Sequence, residues 1–340
     1  MELNKSDIIC FGELLLRLSP PGHQLIRQAK TYEANYGGAE ANVAASLACL
    51  GHKSRFVSRL PTNAIGLAAK SQLAAYGVDT DYIISGGERV GTYFLETGTM
   101  HRNSSVIYDR AFSGMATIEK GMINWEDIFQ HSQWFHWSGI TAGLSATAAE
   151  VCMEAIATAK KMGIVVSCDL NYRSKLWQYG KSPASIMPEL VSMSDLVLGG
   201  KDDARIMLGV EFGKTDDYAD TPVRIKEHFP DVKWVATSLR KSYSASHNSI
   251  AGVLSDGDKV YRSMVYDMPV MVDRVGGGDA FMAGLIHGML TYSENYQYII
   301  DFAAAASCLK HTIPGDINLA GLQEIEQLCK GHHDAGRIAR

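Results

Sequence analysis

The sequence predicts an α/β fold in which a doubly wound, mostly parallel sheet carries a small β-rich appendage. Along most of the 340-residue chain, short apolar segments typical of buried strands alternate with helical segments of roughly 10–15 residues. Two stretches, 14–36 and 88–112, break this alternation. Three consecutive glycines stand directly before the strongly helical segment 280–290.

In the first half of the chain, apolar runs predict strands, and alanine- and leucine-rich runs at helical spacing predict helices. The predicted elements are strand 8–12, helix 39–50, strand 55–60, helix 66–76 and strand 81–84. Gly51 and Gly77 follow the two helices, at the position where glycine commonly ends a helix.

The two stretches that break the alternation are expected to form the appendage. Residues 14–36 lack helical periodicity. Residues 91–97 and 105–108 are strand-like runs joined by a polar link, which is typical of a hairpin. We therefore divide the chain into a core of 1–13, 37–87 and 113–340 and a β-rich lid of 14–36 and 88–112.

The second half of the chain resumes the alternation. The predicted strands are 134–137, 164–170, 196–198, 234–239 and further strands within 243–267. The predicted helices are 146–162, 183–193, 203–208, 279–290, 298–311 and one near 319–328. No internal repeat is visible, so a single α/β core is expected.

Composition limits the classes of protein to consider. Hydrophobic residues make up 46% of the chain and charged residues 20%, which is ordinary for a globular protein with a sizeable core. The net charge is -5 without a basic cluster, which argues against nucleic acid as a partner. The six cysteines form no CxxC pair and indicate free thiols. Neither a leader peptide nor a run of roughly 18 apolar residues is visible, so we expect no membrane partner and a cytoplasmic location.

The glycine run Gly276-Gly277-Gly278 is followed by Asp279 at the start of a predicted helix. Glycines let the backbone approach a ligand closely, and a helix N-terminus offers free N–H groups and partial positive charge to an anion. The same positive end should favour the ionised form of Asp279, which a catalytic base needs. The alternative is that Asp279 only caps the helix, although a cap does not require three glycines.

Two common nucleotide-binding motifs are excluded. A Walker A loop would need Gly-Lys followed by Ser or Thr, and a dinucleotide-binding motif would place GxGxxG after an N-terminal strand. Neither pattern occurs around the glycine run.

Two motifs resemble those of the ribokinase-like (PfkB-type) carbohydrate kinases. The run from Asp273 to Phe281, Asp-Arg-Val-Gly-Gly-Gly-Asp-Ala-Phe, is similar to the C-terminal motif of that family. The run from Gly37 to Ala44, followed by Leu50-Gly51 and Gly66, is similar to its N-terminal motif. The resemblance extends over roughly residues 8–315.

This resemblance implies an ATP-dependent kinase in which Asp279 takes the proton of an acceptor hydroxyl. It implies that the N–H groups of Gly276, Gly277 and Gly278 stabilise the transferred phosphoryl group. It also implies Mg²⁺ as a cofactor and a β-sheet lid through which two copies form a homodimer. The ATP-binding residues it implies are Asn171, Ser238, Arg240, Gly276, Gly278 and Ser307.

The acceptor site is most similar to that of the 2-keto-3-deoxygluconate kinases within the family. Asp169-Leu170-Asn171-Tyr172-Arg173 and Tyr108-Asp109-Arg110 carry this similarity. The acceptor-binding residues it implies are Gly37, Gly38, Asn42, Tyr93, Tyr108, Arg110, Arg173 and Asp316. Two arginines facing one pocket suit a carboxylate, so the expected reaction converts 2-keto-3-deoxygluconate to its 6-phosphate.

Simpler explanations exist for these residues. Arg173 can be a surface cation, Tyr93 and Tyr108 can pack the lid, and Arg110 can pair with Asp109 or Glu96. A fructokinase or other ketose kinase is the alternative enzyme. A catalytically silent sugar- or nucleotide-binding protein on the same fold is the alternative of a different class.

One segment departs from the family pattern on the metal side. Many members carry Asn-x-x-Glu where this chain has Gly200-Lys201-Asp202-Asp203. Asp203 is the candidate carboxylate near Mg²⁺, and Lys201 is a candidate phosphate contact. The alternative is that these residues only begin a helix, where acidic side chains are common.

Overall fold

The computed structural model describes residues 7–331, and the ends of the predicted core, 1–6 and 332–340, lie outside this range. The strands of the described chain are β1 Asp7–Phe11, β2 Leu15–Ser19, β3 Glu33–Gly37, β4 Ser54–Leu60, β5 Ile83–Ser85, β6 Thr92–Glu96, β7 Ser105–Asp109, β8 Ser132–Ser138, β9 Val165–Asp169, β10 Leu196–Leu198, β11 Trp234–Ser242, β12 Asn248–Ser255, β13 Val260–Arg262 and β14 Tyr266–Met268.

The helices of the same part of the chain alternate with these strands. They are α1 Ala39–Cys49, α2 Ala64–Ala75, α3 Trp125–Phe129, α4 Gly139–Ala142, α5 Ala146–Lys161, α6 Met187–Ser192, α7 Lys201–Leu208, α8 Thr221–His228, α9 Gly277–Thr291, α10 Tyr296–Lys310 and α11 Leu322–Cys329. Within residues 7–331, no helix combines the length and the apolar character needed to cross a bilayer.

The large sheet has the strand order β13-β12-β11-β10-β9-β8-β1-β4-β5, and β14 also pairs with β12. Neighbours from β5 to β11 are parallel, whereas β12 is antiparallel to β11, β13 and β14. The chain runs outward in one direction through β4 and β5 and in the other through β8 to β11. The prediction of a doubly wound, mostly parallel sheet is confirmed.

Helices cover both faces of the large sheet and form two apolar cores. One core contains side chains of α1, α2, α9, α10 and α11, and the other contains side chains of α3, α5, α6, α7 and α8. Successive residues of β1 point into opposite cores: Ile8 and Cys10 into the first, Ile9 and Phe11 into the second. This arrangement explains why the central strands have nearly continuous apolar sequences.

A separate four-stranded sheet has the order β3-β2-β6-β7. Each of the two stretches without helical periodicity supplies two of its strands, and β6 and β7 form the antiparallel hairpin that was predicted. Its two segments leave the core after β1 and after β5, so the small sheet stands at the carboxyl edge of the large one. In open α/β sheets this edge is where ligands bind.

Among the short helices that the sequence did not predict are α3 and α8. They contain five and eight residues, respectively, which is too short for a clear apolar repeat. Asn124 caps α3 by accepting from the Asp127 amide, and Pro222 stands in the first turn of α8. Their positions depend on local capping and on packing against the second core.

Helices α9 and α10 pack at unusually close range through Gly284. A Cβ atom added there would lie 2.7 Å from the Cα atom of Ala303. We expect Gly284→Val to lower the free energy of unfolding by about 1–3 kcal/mol, because the helices must separate. Urea unfolding measures the change. Ala157→Val, at an exposed position of α5, is the control and should cost under about 1 kcal/mol. Equal effects at both positions would contradict the close packing.

Candidate active site

A cavity of about 720 Å³ opens at the carboxyl edge of the large sheet, beneath the small sheet. Fifteen of the predicted site residues line it: Gly38, Asn42, Tyr93, Tyr108, Arg110, Asn171, Arg173, Asp203, Ser238, Arg240, Gly276, Gly277, Gly278, Asp279 and Asp316. Residues from opposite ends of the chain therefore meet in one site. Gly37 lies behind the wall, where a side chain would collide with the Asp316 carboxylate.

Asp279 is the third residue of α9, and its carboxylate is buried. Its Oδ2 accepts a hydrogen bond from Nδ2 of Asn42 at 2.7 Å, and Oδ1 of Asn42 in turn accepts from the Gly38 amide at 3.2 Å. Burial raises the pKa of Asp279 to about 7, against the opposing effects of the Asn42 hydrogen bond and the Arg173 charge. The helix terminus therefore does not keep Asp279 as strongly acidic as expected. A pKa near neutrality suits a general base.

The glycine run forms the turn that leads into α9. Gly276 has φ +83°, and a Cβ atom there would collide with the Asp316 carbonyl oxygen, so only glycine fits. Gly278 has open space on its pocket side. Because α9 is 15 residues long, its free N–H groups present a strong anion-binding terminus to the cavity.

Ser307 was predicted to contact ATP, and the structure corrects this prediction. Its side chain is fully buried in α10, behind the glycine run. Its Oγ donates to the Gly277 carbonyl at 2.7 Å. Ser307 therefore supports the turn from behind and does not face the cavity.

A buried ion network that the sequence did not reveal joins the small sheet to the core. Arg17 of β2 pairs with Asp316 and, at 2.7 Å, with Asp273. Tyr93 of β6 donates its hydroxyl to Asp316. Burial alone would lower the pKa of Arg17, but the two carboxylates raise it overall. The signal in the sequence was a lone arginine between leucines in a strand.

Asp273 extends this network into the backbone of the catalytic turn. Its carboxylate accepts from the Val275 amide at 3.0 Å and from the Gly315 amide at 3.1 Å. The conformation of the residues before Gly276 is therefore fixed by a side chain that is itself held by Arg17.

Arg110 lines the cavity, but its charge is already neutralised inside the protein. Its guanidinium Nε donates to Oε2 of Glu13 at 2.8 Å, and both side chains are buried. Ser113 donates to the other oxygen of Glu13. The expectation of two arginines that both await a carboxylate ligand is therefore wrong for Arg110. The simpler alternative, in which Arg110 pairs with Asp109 or Glu96, is also wrong, because these two carboxylates pair with other arginines.

Arg173 is the arginine that remains available on this side of the cavity. It is exposed to the pocket, and the one hydrogen bond of its guanidinium within residues 7–331 goes to the neighbouring Tyr172 carbonyl at 3.0 Å. In that part of the chain no carboxylate lies within ion-pairing distance of it. An anionic group of an acceptor can therefore bind Arg173 without displacing a protein partner.

Asp169 ends strand β9, and Asp203 lies in the first turn of α7, which follows strand β10. Asp203 accepts from the Gly200 amide at 3.0 Å, so it closes the first turn of α7. Burial raises the pKa of Asp203. Burial, together with Asp279 and Asp203, raises the pKa of Asp169 well above its usual range. The described residues contain no group of three or more His, Cys, Asp or Glu side chains arranged to hold a metal ion.

Lys201 does not contact the cavity, contrary to the suggestion that it binds phosphate. Its Nζ donates to the Asp216 carbonyl at 2.6 Å and lies 5.1 Å from the ring centre of Phe212. The departure from Asn-x-x-Glu therefore leaves Asp203 as the charged side chain of that segment in the cavity.

A buried carboxylate with a near-neutral pKa beside a helix N-terminus, in a cavity at the carboxyl edge of a parallel sheet, suits one class of protein: a phosphotransferase for small acceptors. The family model described as pfkB family carbohydrate kinase matches residues 5–320, and the chain belongs to this family. It is thus a carbohydrate kinase, and its family uses ATP to phosphorylate a sugar hydroxyl.

Three proteins illustrate the similarity. The chain is 29% identical to a 2-dehydro-3-deoxygalactonokinase of Haloferax volcanii, over 97% of this chain and 98% of the relative. It is 25% identical to a 2-dehydro-3-deoxygluconokinase of Bacillus subtilis, over 95% and 94%. The crystal structure of 2-dehydro-3-deoxygluconokinase from Thermotoga maritima superposes with a TM-score of 0.91 at 40% identity, covering 96% of this chain and 100% of that one.

The hydrogen bond from Asn42 predicts a pH effect. The base must be deprotonated, so activity should fall as the pH drops below about 7. Asn42→Leu removes a donor that stabilises the carboxylate, so the acid limb of kcat/KM should move to higher pH by roughly 1–2 units.

The control for this experiment is Ser46→Ala. Ser46 is buried in the same helix, and within residues 7–331 its hydroxyl donates to the Asn42 carbonyl alone. The ionisation of ATP contributes equally to each assay, so differences between the pH profiles of the variants arise from the protein. An unmoved acid limb in Asn42→Leu would exclude this role of the amide.

Proposed function

We propose that this protein transfers the γ-phosphoryl group of ATP to a hydroxyl of 2-keto-3-deoxygluconate (2-dehydro-3-deoxygluconate), giving the 6-phosphate. The observation that carries the proposal is one cavity that combines Asp279, the glycine turn and Arg173, an arginine to which residues 7–331 offer no carboxylate partner. The names of the relatives from Bacillus subtilis and Thermotoga maritima support this acceptor.

In the proposed reaction the acceptor hydroxyl donates to Asp279. As the hydroxyl oxygen bonds to the γ-phosphorus, its proton passes to the carboxylate, and the bond to the β,γ-bridging oxygen breaks to release ADP. The N–H groups at Gly276 to Gly278 stabilise the charge on the transferred group. Asn42 holds the Asp279 carboxylate in orientation throughout.

Nucleotide and acceptor bind on different walls of the cavity in this proposal. Arg173 and Tyr108 contact the sugar acid, while Asn171, Ser238 and Arg240 face the nucleotide. Mg²⁺ bound to ATP would neutralise phosphate charge. Asp169 and Asp203 fit such an ion, because hard oxygen ligands suit it and a cation relieves their mutual repulsion.

The acceptor is tested with an ADP-release assay on ketodeoxygluconate, ketodeoxygalactonate, fructose and ribose. Arg173→Gln should lower kcat/KM for the sugar acids by roughly 10- to 100-fold and leave any activity on fructose nearly unchanged. Lys181→Gln, an exposed cation in the same segment, should change neither.

Two outcomes would favour the alternatives. Equal losses on acids and ketoses would support a ketose kinase. Absence of ADP release by the wild type with every acceptor would support the silent binding protein. Asp279→Asn measures the background rate of ADP release, because this substitution should lower kcat by roughly 10²- to 10⁴-fold on any true substrate.

We also propose that the small sheet acts as a lid and that two copies pair through its outer face. Arg17 and Tyr93 are paired in register and face the core. The alternate row Ala34, Leu18, Phe94 and Ile107 crosses all four strands on the opposite face. Ile107 is 51% exposed, so this apolar row is available to a second copy.

Sedimentation of the purified protein measures this association. The wild type should sediment as a dimer, and Ile107→Glu should give monomers because it would bury a charge in the interface. Val260→Glu, also at an exposed apolar strand position but in β13, should remain dimeric. A monomeric wild type would refute the proposal.

A further inference from the structure

We propose that Arg240 and Arg274 form a guanidinium pair that binds the terminal phosphates of the nucleotide and does so even without a metal ion. The inference rests on the proposed kinase function and assigns to Arg274 a role that the sequence did not suggest. We call these two residues the arginine pair.

Both arginines stand where the phosphates must lie. Arg240 is near the end of β11, and Arg274 is separated from the glycine turn by Val275 alone; both line the cavity. A Cβ atom on Gly277 would lie 3.2 Å from Nη2 of Arg240, so the guanidinium rests against the turn. The free N–H groups of α9 and the arginine pair therefore face the same region.

His311 holds Arg240 in position without neutralising it. Nδ1 of His311 lies 2.6 Å from the Ser307 carbonyl, which can only accept, so Nδ1 carries the proton. Nε2 is then the acceptor for Nη2 of Arg240 at 2.9 Å. Burial and the charge of Arg240 lower the pKa of His311 to about 4, so the ring is neutral at physiological pH.

The arginine pair lacks the carboxylates that accompany other inward-facing arginines. Arg17 has two aspartates and Arg110 has Glu13, whereas within residues 7–331 no carboxylate lies within 4.0 Å of Arg240 or Arg274. Arg240 is open to the pocket, yet the surrounding protein and the charge of Arg274 lower its pKa. Two guanidinium groups without carboxylate partners repel each other, and a bound polyanion would replace this repulsion with attraction to both.

The arginine pair is separate from the cation on the acceptor side. The charge of Arg173 favours the ionised forms of Asp279 and Asp169. The charge of Arg274 lowers the pKa of Arg240, and both of these charges lower the pKa of His311. One anion-binding group thus serves the acceptor carboxylate and the other serves the phosphates. The pair also supplies positive charge in a site whose metal-organising segment has lost asparagine and glutamate.

The test is calorimetric binding of ATP, tripolyphosphate and adenosine in excess EDTA. Arg274→Gln and Arg240→Gln should each raise the Kd for metal-free ATP and tripolyphosphate by roughly 10- to 100-fold, with adenosine unaffected. The control Arg262→Gln, at an exposed position of β13, should bind like the wild type. Thermal unfolding checks that each variant is folded.

The outcomes separate this inference from the proposed function, because no acceptor is present in the binding experiment. Unchanged affinity of folded Arg274→Gln for both polyphosphates would overturn the inference, even if the wild type phosphorylates a sugar acid. Loss of polyphosphate affinity in both variants would support the arginine pair, even if the acceptor panel shows no turnover.

Discussion

The double ion pair of Arg17 with Asp273 and Asp316 is the interaction on which the geometry of the site depends. It joins a strand of the small sheet to two loops of the core, across 299 residues of sequence in the case of Asp316. All three charges are buried, so removing one leaves another unpaired in a region of low polarity, a cost of roughly 3–5 kcal/mol. The small sheet therefore cannot slide over the cavity without breaking strong contacts.

The consequences of this network extend to the catalytic turn. The Asp273 carboxylate accepts hydrogen bonds from one backbone amide just before the glycine turn and from another just before Asp316. The Asp316 carbonyl oxygen lies so close to Gly276 that no side chain fits there. Lys310, fully buried beneath, donates to the Ile313 carbonyl at 3.0 Å and fixes the loop that carries Asp316. Tyr93, which lines the cavity, and the glycine turn are thus held by the same pair of aspartates.

The distribution of charge within the cavity follows the needs of phosphoryl transfer. Burial raises the pKa of Asp279 to about 7, with smaller contributions from the charges of Glu40 and Asp316, and a carboxylate with this pKa suits a general base. Arg173, Arg240 and Arg274 also line the cavity, and within residues 7–331 none of them has a carboxylate within 4.0 Å. In the segment from Gly200 to Asp203, the Asp203 side chain accepts from the Gly200 amide and closes the first turn of α7.

The layered α/β fold, the small sheet and the place of Asp279 at the start of a helix can be read from the amino-acid sequence. These features depend on local patterns: apolar periodicity, hairpin composition and a glycine run before a helix. Only the tertiary structure decided that Arg110 is neutralised by Glu13, that Ser307 faces inward and that Arg17 joins the two sheets. Whether a charged side chain is free to bind a ligand depends on partners remote in the sequence, and no local pattern records which partner folding brings within a hydrogen bond.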